Sequence, residues 1–397
     1  MHALSLLKRW LDRNCDFVHA ARREAICKGV LGLLSGGVAT LTGIGRASHP
    51  EGREKHGIKF ADRLLGNVLL HAQLQALYRA LAHFLLSQTP RPLILVDWSD
   101  VAQGHRHAML KATVPVGGRA LTLYDEVYPL RQHNSAKANK AFLKALSGLV
   151  PEGCRPIIVT DAGFRGPWFK AVEALGWDWI GRIRRCSKVR LGGRETWAFT
   201  ETLYPQASRQ PKRLGQGWLS IQQPYACVLH LYKASQRGPG RPRKPYKSTL
   251  THQRSRRASR EPWLLATSRG LTSWSATRVV KAYRLRMQIE ETFRDLKSPR
   301  WGYGLDYARS RTAARLANLL WLTTLATLAT WLVGMAAEAA DLMRGYQANT
   351  ERRQRVLSTF FLGRRVLTKA RAAVPCHALR DAMRSLPFII HRHAECA

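Results

Sequence analysis

Two short apolar runs end on the same residue type: Leu93-Ile94-Leu95-Val96-Asp97 and Pro156-Ile157-Ile158-Val159-Thr160-Asp161. Each is short enough for a buried strand and too short for a buried helix. Between them, residues 107–130 read as paired strands around a Gly117-Gly118 turn, and 136–149 as a helix. After the second run, a helix from about Pro167 to Leu175 and a strand at Trp177–Ile183 complete an α/β unit. Side chains at the carboxyl ends of strands in such sheets project into a ligand crevice. One strand-end aspartate often does no more than open a turn. Two in matching positions suit a shared Mg2+, which takes one or two carboxylates together with water and phosphate oxygens.

Outward from this core, both flanks read as helical. Residues 1–88 carry apolar side chains at three- and four-residue spacing in Leu4–Leu11 and Leu69–Leu86. Leu41-Thr42-Gly43-Ile44-Gly45 and then Lys59–Asn67 fit a helix–turn–helix with a basic second half, or simply part of a helical bundle. From about Thr277 the chain reads as helical to its end. Within that part, Leu316–Ala337 is uncharged and long enough to span a bilayer, but it contains Asn318 and four threonines. A buried helix is the reading, with an oligomer-facing helix or a membrane span as alternatives. His391, His393 and Cys396 read as a polar terminus without fixed structure rather than a metal cluster.

Charge narrows the partner. The chain has 64 Lys plus Arg against 26 Asp plus Glu, a formal net charge of +38. Such an excess favours a polyanion, because each basic contact to a phosphate releases a condensed counterion. Residues 182–260 hold 19 of these cations against two carboxylates, Glu195 and Glu201, and read as a basic β or irregular insertion. Its run Arg237–Pro245 fits either a flexible loop meeting phosphates without specificity or an extended arm for a narrow minor groove. Seven scattered cysteines without a C-x-x-C pair suit a reducing cytosol, and residues 1–20 have no signal-peptide pattern.

The segment from Tyr283 to Lys297, YRLRMQIEETFRDLK, adds a third carboxylate. On one continuous helix with Tyr283 at zero, Arg286 falls at about −60°, Glu290 at about −20° and Lys297 at about −40°. Leu285, Ile289, Phe293 and Leu296 then form an adjoining apolar stripe. A carboxylate between two cations and a phenol suits a metal ligand among phosphate-binding groups better than ordinary i, i+4 salt bridges. The same angles favour Glu290 over Glu291, and strand position favours Asp97 over Asp100.

These residues resemble a known family. Asp97, Asp161 and Glu290 are similar to the DDE triad of bacterial insertion-sequence transposases. Tyr283, Arg286, Glu290 and Lys297 match the Y-(2)-R-(3)-E-(6)-K signature of the insertion-sequence-four family. The blocks Val96–Asp100, Asp161–Phe164, Glu261-Pro262-Trp263-Leu264 and Met287–Pro299 occur in the family's order, within about residues 40–365.

The resemblance implies an α/β, RNase H-like catalytic domain (89–335) with a β-rich insertion at about 184–270. A helical DNA-binding region (1–88) and a helical C-terminal region (336–397), which could dimerise, would flank it. It further implies two Mg2+ or Mn2+ ions on Asp97, Asp161 and Glu290, and cut-and-paste transposition through a hairpin. The partners would be double-stranded transposon ends with inverted repeats, target DNA, and a second copy of the chain, in the cytoplasm at the nucleoid. Tyr283, Arg286 and Lys297 would contact DNA, Trp263 would stack on a flipped base, and Arg182 would brace the hairpin. From the residues alone, Trp263 reads as a core strand residue, and only the resemblance favours the stacking role. The rival readings are a nuclease or resolvase of the same fold that cuts without joining, and a catalytically inactive DNA-binding relative.

Overall fold

The structure, a computed structural model, describes residues 2–49, 51–101, 106–184, 187–234, 261–348, 350, 355–369 and 374–396. The basic run Arg237–Pro245 therefore lies outside the described residues. The chain opens with five helices: α1 (His2–Asn14), α2 (Ala20–Leu34), α3 (Leu41–Ser48), α4 (Glu54–Leu65) and α5 (Val68–Leu86). Strands β1 (Leu93–Val101), β2 (His107–Pro115) and β3 (Ala120–Pro129) follow, then helix α6 (Ala136–Ser147). Next come β4 (Ile157–Thr160), α7 (Gly166–Ala174), β5 (Asp178–Ile183), β6 (Lys188–Leu191) and β7 (Ala198–Phe199). Strands β8 (Lys212–Leu219), β9 (Tyr225–Tyr232) and β10 (Trp263–Thr267) lead to α8 (Ala276–Leu285). The chain closes with α9 (Met287–Lys297), α10 (Ala313–Ala339), α11 (Thr359–Lys369) and α12 (Cys376–Glu395). Two compact units result: Met1–Cys154 with Met287–Cys396, and Arg155–Arg286.

In the first unit, β1, β2 and β3 form consecutive antiparallel pairs, with Asp97 opposite Lys111 and Lys111 opposite Asp125. Gly117 and Gly118 take φ of 97° and 84° in the β2–β3 turn, a left-handed conformation that a Cβ would strain. Local caps fix the helix starts. Asn67 Oδ1 accepts from Leu70 N (2.7 Å) at α5, and Thr312 Oγ1 accepts from Arg315 N (3.4 Å) at α10.

Helix α10 is the apolar segment that length alone would allow to cross a membrane, and 89% of its most apolar window is buried inside the protein. It packs on β3, α2, α5, α11 and α12. The Nδ2 of its buried Asn318 donates to Leu65 O (3.0 Å) and Asn67 O (3.1 Å), tying α10 to the α4–α5 turn. Close approach to α11 depends on Gly334, where a Cβ would stand 1.9 Å from Thr359 O.

The second unit carries a parallel pair, β4–β5, and then antiparallel neighbours in the order β5-β10-β9-β8-β6-β7. Helix α7 covers β5, with Phe169 stacked on Trp179 at 3.9 Å between centroids. Gly181 makes room for that ring, since a Cβ there would lie 2.5 Å from Phe169 Cζ. Where it is described, the basic insertion is thus mainly β-sheet, with a short 3-10 helix at Thr200–Gln206.

Two expectations from sequence are corrected. The segment from Tyr283 to Lys297 is not one helix. Arg286 N closes a tight turn onto Tyr283 O (3.1 Å), which ends α8 before α9 begins at Met287. The stripe laid out for a continuous helix therefore divides: Tyr283 and Arg286 belong to α8 and its cap, Glu290 and Lys297 to α9. The C-terminal residues are ordered as well. Leu379, Ala382, Leu386, Ile390 and Ala394 recur at helical spacing and are buried, so α12 docks and carries His391 and His393 with it. A Cβ on Gly117 would meet His393 Nε2 at 3.3 Å, and burial is the main cause that lowers the His393 pKa.

Candidate active site

Asp97 does not end its strand as expected. It is the fifth of nine residues in β1 and half-buried, because pairing with β2 carries the strand on through Asp100 to Val101. Its Oδ1 accepts from Trp98 N (2.8 Å). Directly opposite residues of an antiparallel pair share a face, so Asp97, Lys111 and Asp125 form a row across three strands. Lys111 is fully buried. Its Nζ lies 2.5 Å from Asp125 Oδ2 and donates to Thr122 Oγ1 (3.2 Å), while Tyr78 OH donates to Asp125 Oδ1 (2.7 Å). A closed network of this kind holds one end of the row rigidly.

Helix α9 packs on all three strands, and one of its edges is pinned. Gln288 Oε1 accepts from Val116 N and Gly117 N (3.2 Å each), and Thr292 Oγ1 accepts from Ala120 N (2.9 Å). Asp295 pairs with Arg119. Burial raises the Asp295 pKa, and Arg119 opposes that rise. With Gln288, Ile289, Thr292, Phe293, Asp295 and Leu296 inward, Glu290 is exposed and Lys297 half-buried on the other side. The two are seven residues apart, two turns along one face. Glu291 points back toward Arg119 (3.7 Å) and also pairs with Arg294. The first unit thus brings Asp97 and Glu290 onto packed elements.

The second unit assembles the other residues singled out from sequence. Asp161 follows β4 directly and closes an Asx-type turn, Oδ1 accepting from Gly163 N (2.8 Å). Tyr283 is buried, which raises its phenol pKa. Arg286 and then Arg182 pull it back down, and Asp161 raises it again. The Arg286 guanidinium carbon stands 5.9 Å from the Tyr283 ring centre. Trp263, half-exposed at the start of β10, meets Tyr283 edge-on at 5.1 Å and Tyr232 at 5.6 Å.

Arg182 donates to Glu261 O (3.3 Å) and lies 3.6 Å from the Glu261 carboxylate. Its buried Nε has no partner among the described residues. Glu261 also accepts from Arg184 Nε (2.7 Å) and Tyr204 OH (2.8 Å). A cavity of about 640 Å3 beside this network is lined by Arg165, Lys170, Arg182, Arg184 and Lys188.

Asp161, Arg182, Trp263, Tyr283 and Arg286 are therefore one neighbourhood, while Asp97, Glu290 and Lys297 belong to the other unit. Among the described residues, no three His, Cys, Asp or Glu form a ready group for a metal ion within contact distance. The donor chemistry of Asp97, Asp161 and Glu290 is nevertheless that of hard-cation ligands, carboxylate oxygen throughout. Sequence reading missed Lys111, Asp125, Arg119 and Tyr204. A lysine in an otherwise apolar strand was the one available signal.

A mixed α/β fold with carboxylates on or at the end of its strands, together with clustered cations, defines the class, α/β proteins that act on polyanions. A family model described as Transposase DDE domain matches residues 88–328, more than half of the chain, and the protein belongs to that family. Membership establishes a DNA-binding transposase domain of the RNase H-like fold, a family that generally uses divalent metal ions. No curated protein matches the chain.

Proposed function

We propose that this transposase works by cut-and-paste through a hairpin, in the manner of the insertion-sequence-four family, with Asp97, Asp161 and Glu290 as the catalytic carboxylates. The observation that carries the reading is α9, whose pinned edge turns Glu290 and Lys297 outward beside the strand that bears Asp97, inside a DDE domain. The three carboxylates would hold two Mg2+ or Mn2+ ions, which supply Lewis-acid charge to the attacking and leaving oxygens of an in-line displacement.

The chain's own groups position the DNA. Lys297, Arg286 and Tyr283 take phosphate oxygens, Arg182 braces the bent strand, and Trp263 stacks on a displaced base, a contact worth about 1–3 kcal/mol. Each step exchanges one P–O bond for another. Water first releases a 3′-OH; that hydroxyl attacks the opposite strand to close a hairpin; water reopens it; and the 3′-OH then attacks target DNA. The oxidation state never changes, and each leaving oxygen carries off a proton's equivalent as a hydroxyl. A homodimer would hold the two ends, at the nucleoid in the cytoplasm.

Incubating the protein and Mg2+ with DNA bearing its terminal inverted repeats should give hairpinned ends and strand-transfer products. Glu290→Gln should lower both by at least about a thousandfold, ~4 kcal/mol of barrier, with the fold intact by circular dichroism. Cleavage without hairpins or joints would favour a nuclease, and binding alone an inactive relative.

A further inference from the structure

We infer that a second, separate cleft in the first unit grips the backbone phosphates of duplex DNA. The inference rests on the transposase reading but uses none of its catalytic residues. The cleft, about 600 Å3, lies where the start of α3 meets the segment leading into α10. Arg309, Arg311 and Arg315 line it together with the hydroxyls of Thr40, Thr42 and Tyr307, and no carboxylate is among its lining residues. Arg315 is held by Asp62 (2.5 Å), which fixes its position. Arg309 and Arg311 are exposed and have no ion pair or hydrogen bond among the described residues.

Two guanidiniums without a counter-charge, a third anchored by Asp62, and several hydroxyl donors suit an anion with several oxygens. Two features add to that field. Thr40 and Thr312 are the N-caps of α3 and of the 27-residue α10, so the positive ends of two helices adjoin the cleft. Tyr307, 49% exposed, offers a phenol and a flat face at the rim. Exposed rather than enclosed arginines favour a long polyanion passing across the mouth over a small ligand swallowed whole.

The test is fluorescence anisotropy of the full chain with a labelled duplex of about 30 base pairs, with Ca2+ replacing Mg2+, over a series of NaCl concentrations. Reading binding without cleavage separates this inference from the catalytic one. Arg309→Gln with Arg311→Gln should weaken binding and reduce the slope of log K against log salt by about two, near 0.9 per phosphate contact. The same pair of changes at Arg380 and Arg384, exposed on α12, should leave the slope in place. An unchanged slope in the Arg309/Arg311 variant, or an equal loss in the control, overturns the cleft. Inorganic phosphate or a nucleotide that competes with wild type at sub-millimolar concentration, and fails against the variant, would make it a small-anion site instead. Failure of wild type to bind any duplex would overturn this inference and the proposed function together.

Discussion

Lys111 and Glu261 stand at the centres of two charge networks built in opposite ways. In the first unit, one buried ammonium meets one buried carboxylate, Asp125, with Tyr78 and Thr122 completing the bonds, so the charges cancel inside the core. In the second unit, one carboxylate is shared by two guanidiniums, Arg182 and Arg184, beside a cavity lined with further cations. A neutral network can only hold geometry, here the row that includes Asp97. An uncompensated one keeps positive charge available for a polyanion while fixing where it sits.

The contrast can be broken most sharply at Lys111. Lys111→Met leaves Asp125 buried without its partner and should cost about 3–5 kcal/mol in urea unfolding, whereas adding Asp125→Leu should recover much of the loss. A change as small as that of an exposed ion pair would show that the network is not the clamp described.

The second expectation concerns pH. His230, buried in β9 with neither ring nitrogen bonded among the described residues, has its pKa lowered to about 4 by burial and by nearby Arg213. Its neutral form belongs to the folded state. The stability it contributes is therefore complete above about pH 6.5 and lost as pH falls toward 4, up to about 3 kcal/mol. His230→Leu should flatten the urea midpoint across that window. An unchanged profile would place the acid sensitivity in other groups.

The smallest expected effect is at Glu261. Glu261→Gln frees two guanidiniums that remain partly hydrated, so stability should fall by about 1–2 kcal/mol, less than at Lys111. Affinity for duplex DNA should hold or rise. A loss of DNA affinity as large as the loss of stability would mean that Glu261 positions Arg182 and Arg184 more than it restrains their charge.

Much of this was readable in advance. The strand before Asp161, the Gly117-Gly118 turn and the buried α10 follow from periodicities of two and of 3.6 residues, which are local. Other features were not. Strand β1 does not stop at Asp97, where its apolar run ends, but continues to Val101 because β2 pairs with its polar continuation. The break at Arg286 lies inside a stretch whose helical pattern runs through it, and nothing in the pattern marks a turn tightened by one residue. The tail was misread because its apolar positions are spaced widely among charges, and only docking gives them a face to bury.

By itself, then, the sequence determined the class of structure, the cationic character and the candidate carboxylates, because propensity, pattern and net charge are properties of short segments or of plain sums. Tertiary structure alone decided which charges cancel and which face outward. Arg119 finds Asp295 from 176 residues away, and Arg315 finds Asp62 from 253. Such pairings are set by strand register and helix packing, and the identity of either partner carries no trace of the other.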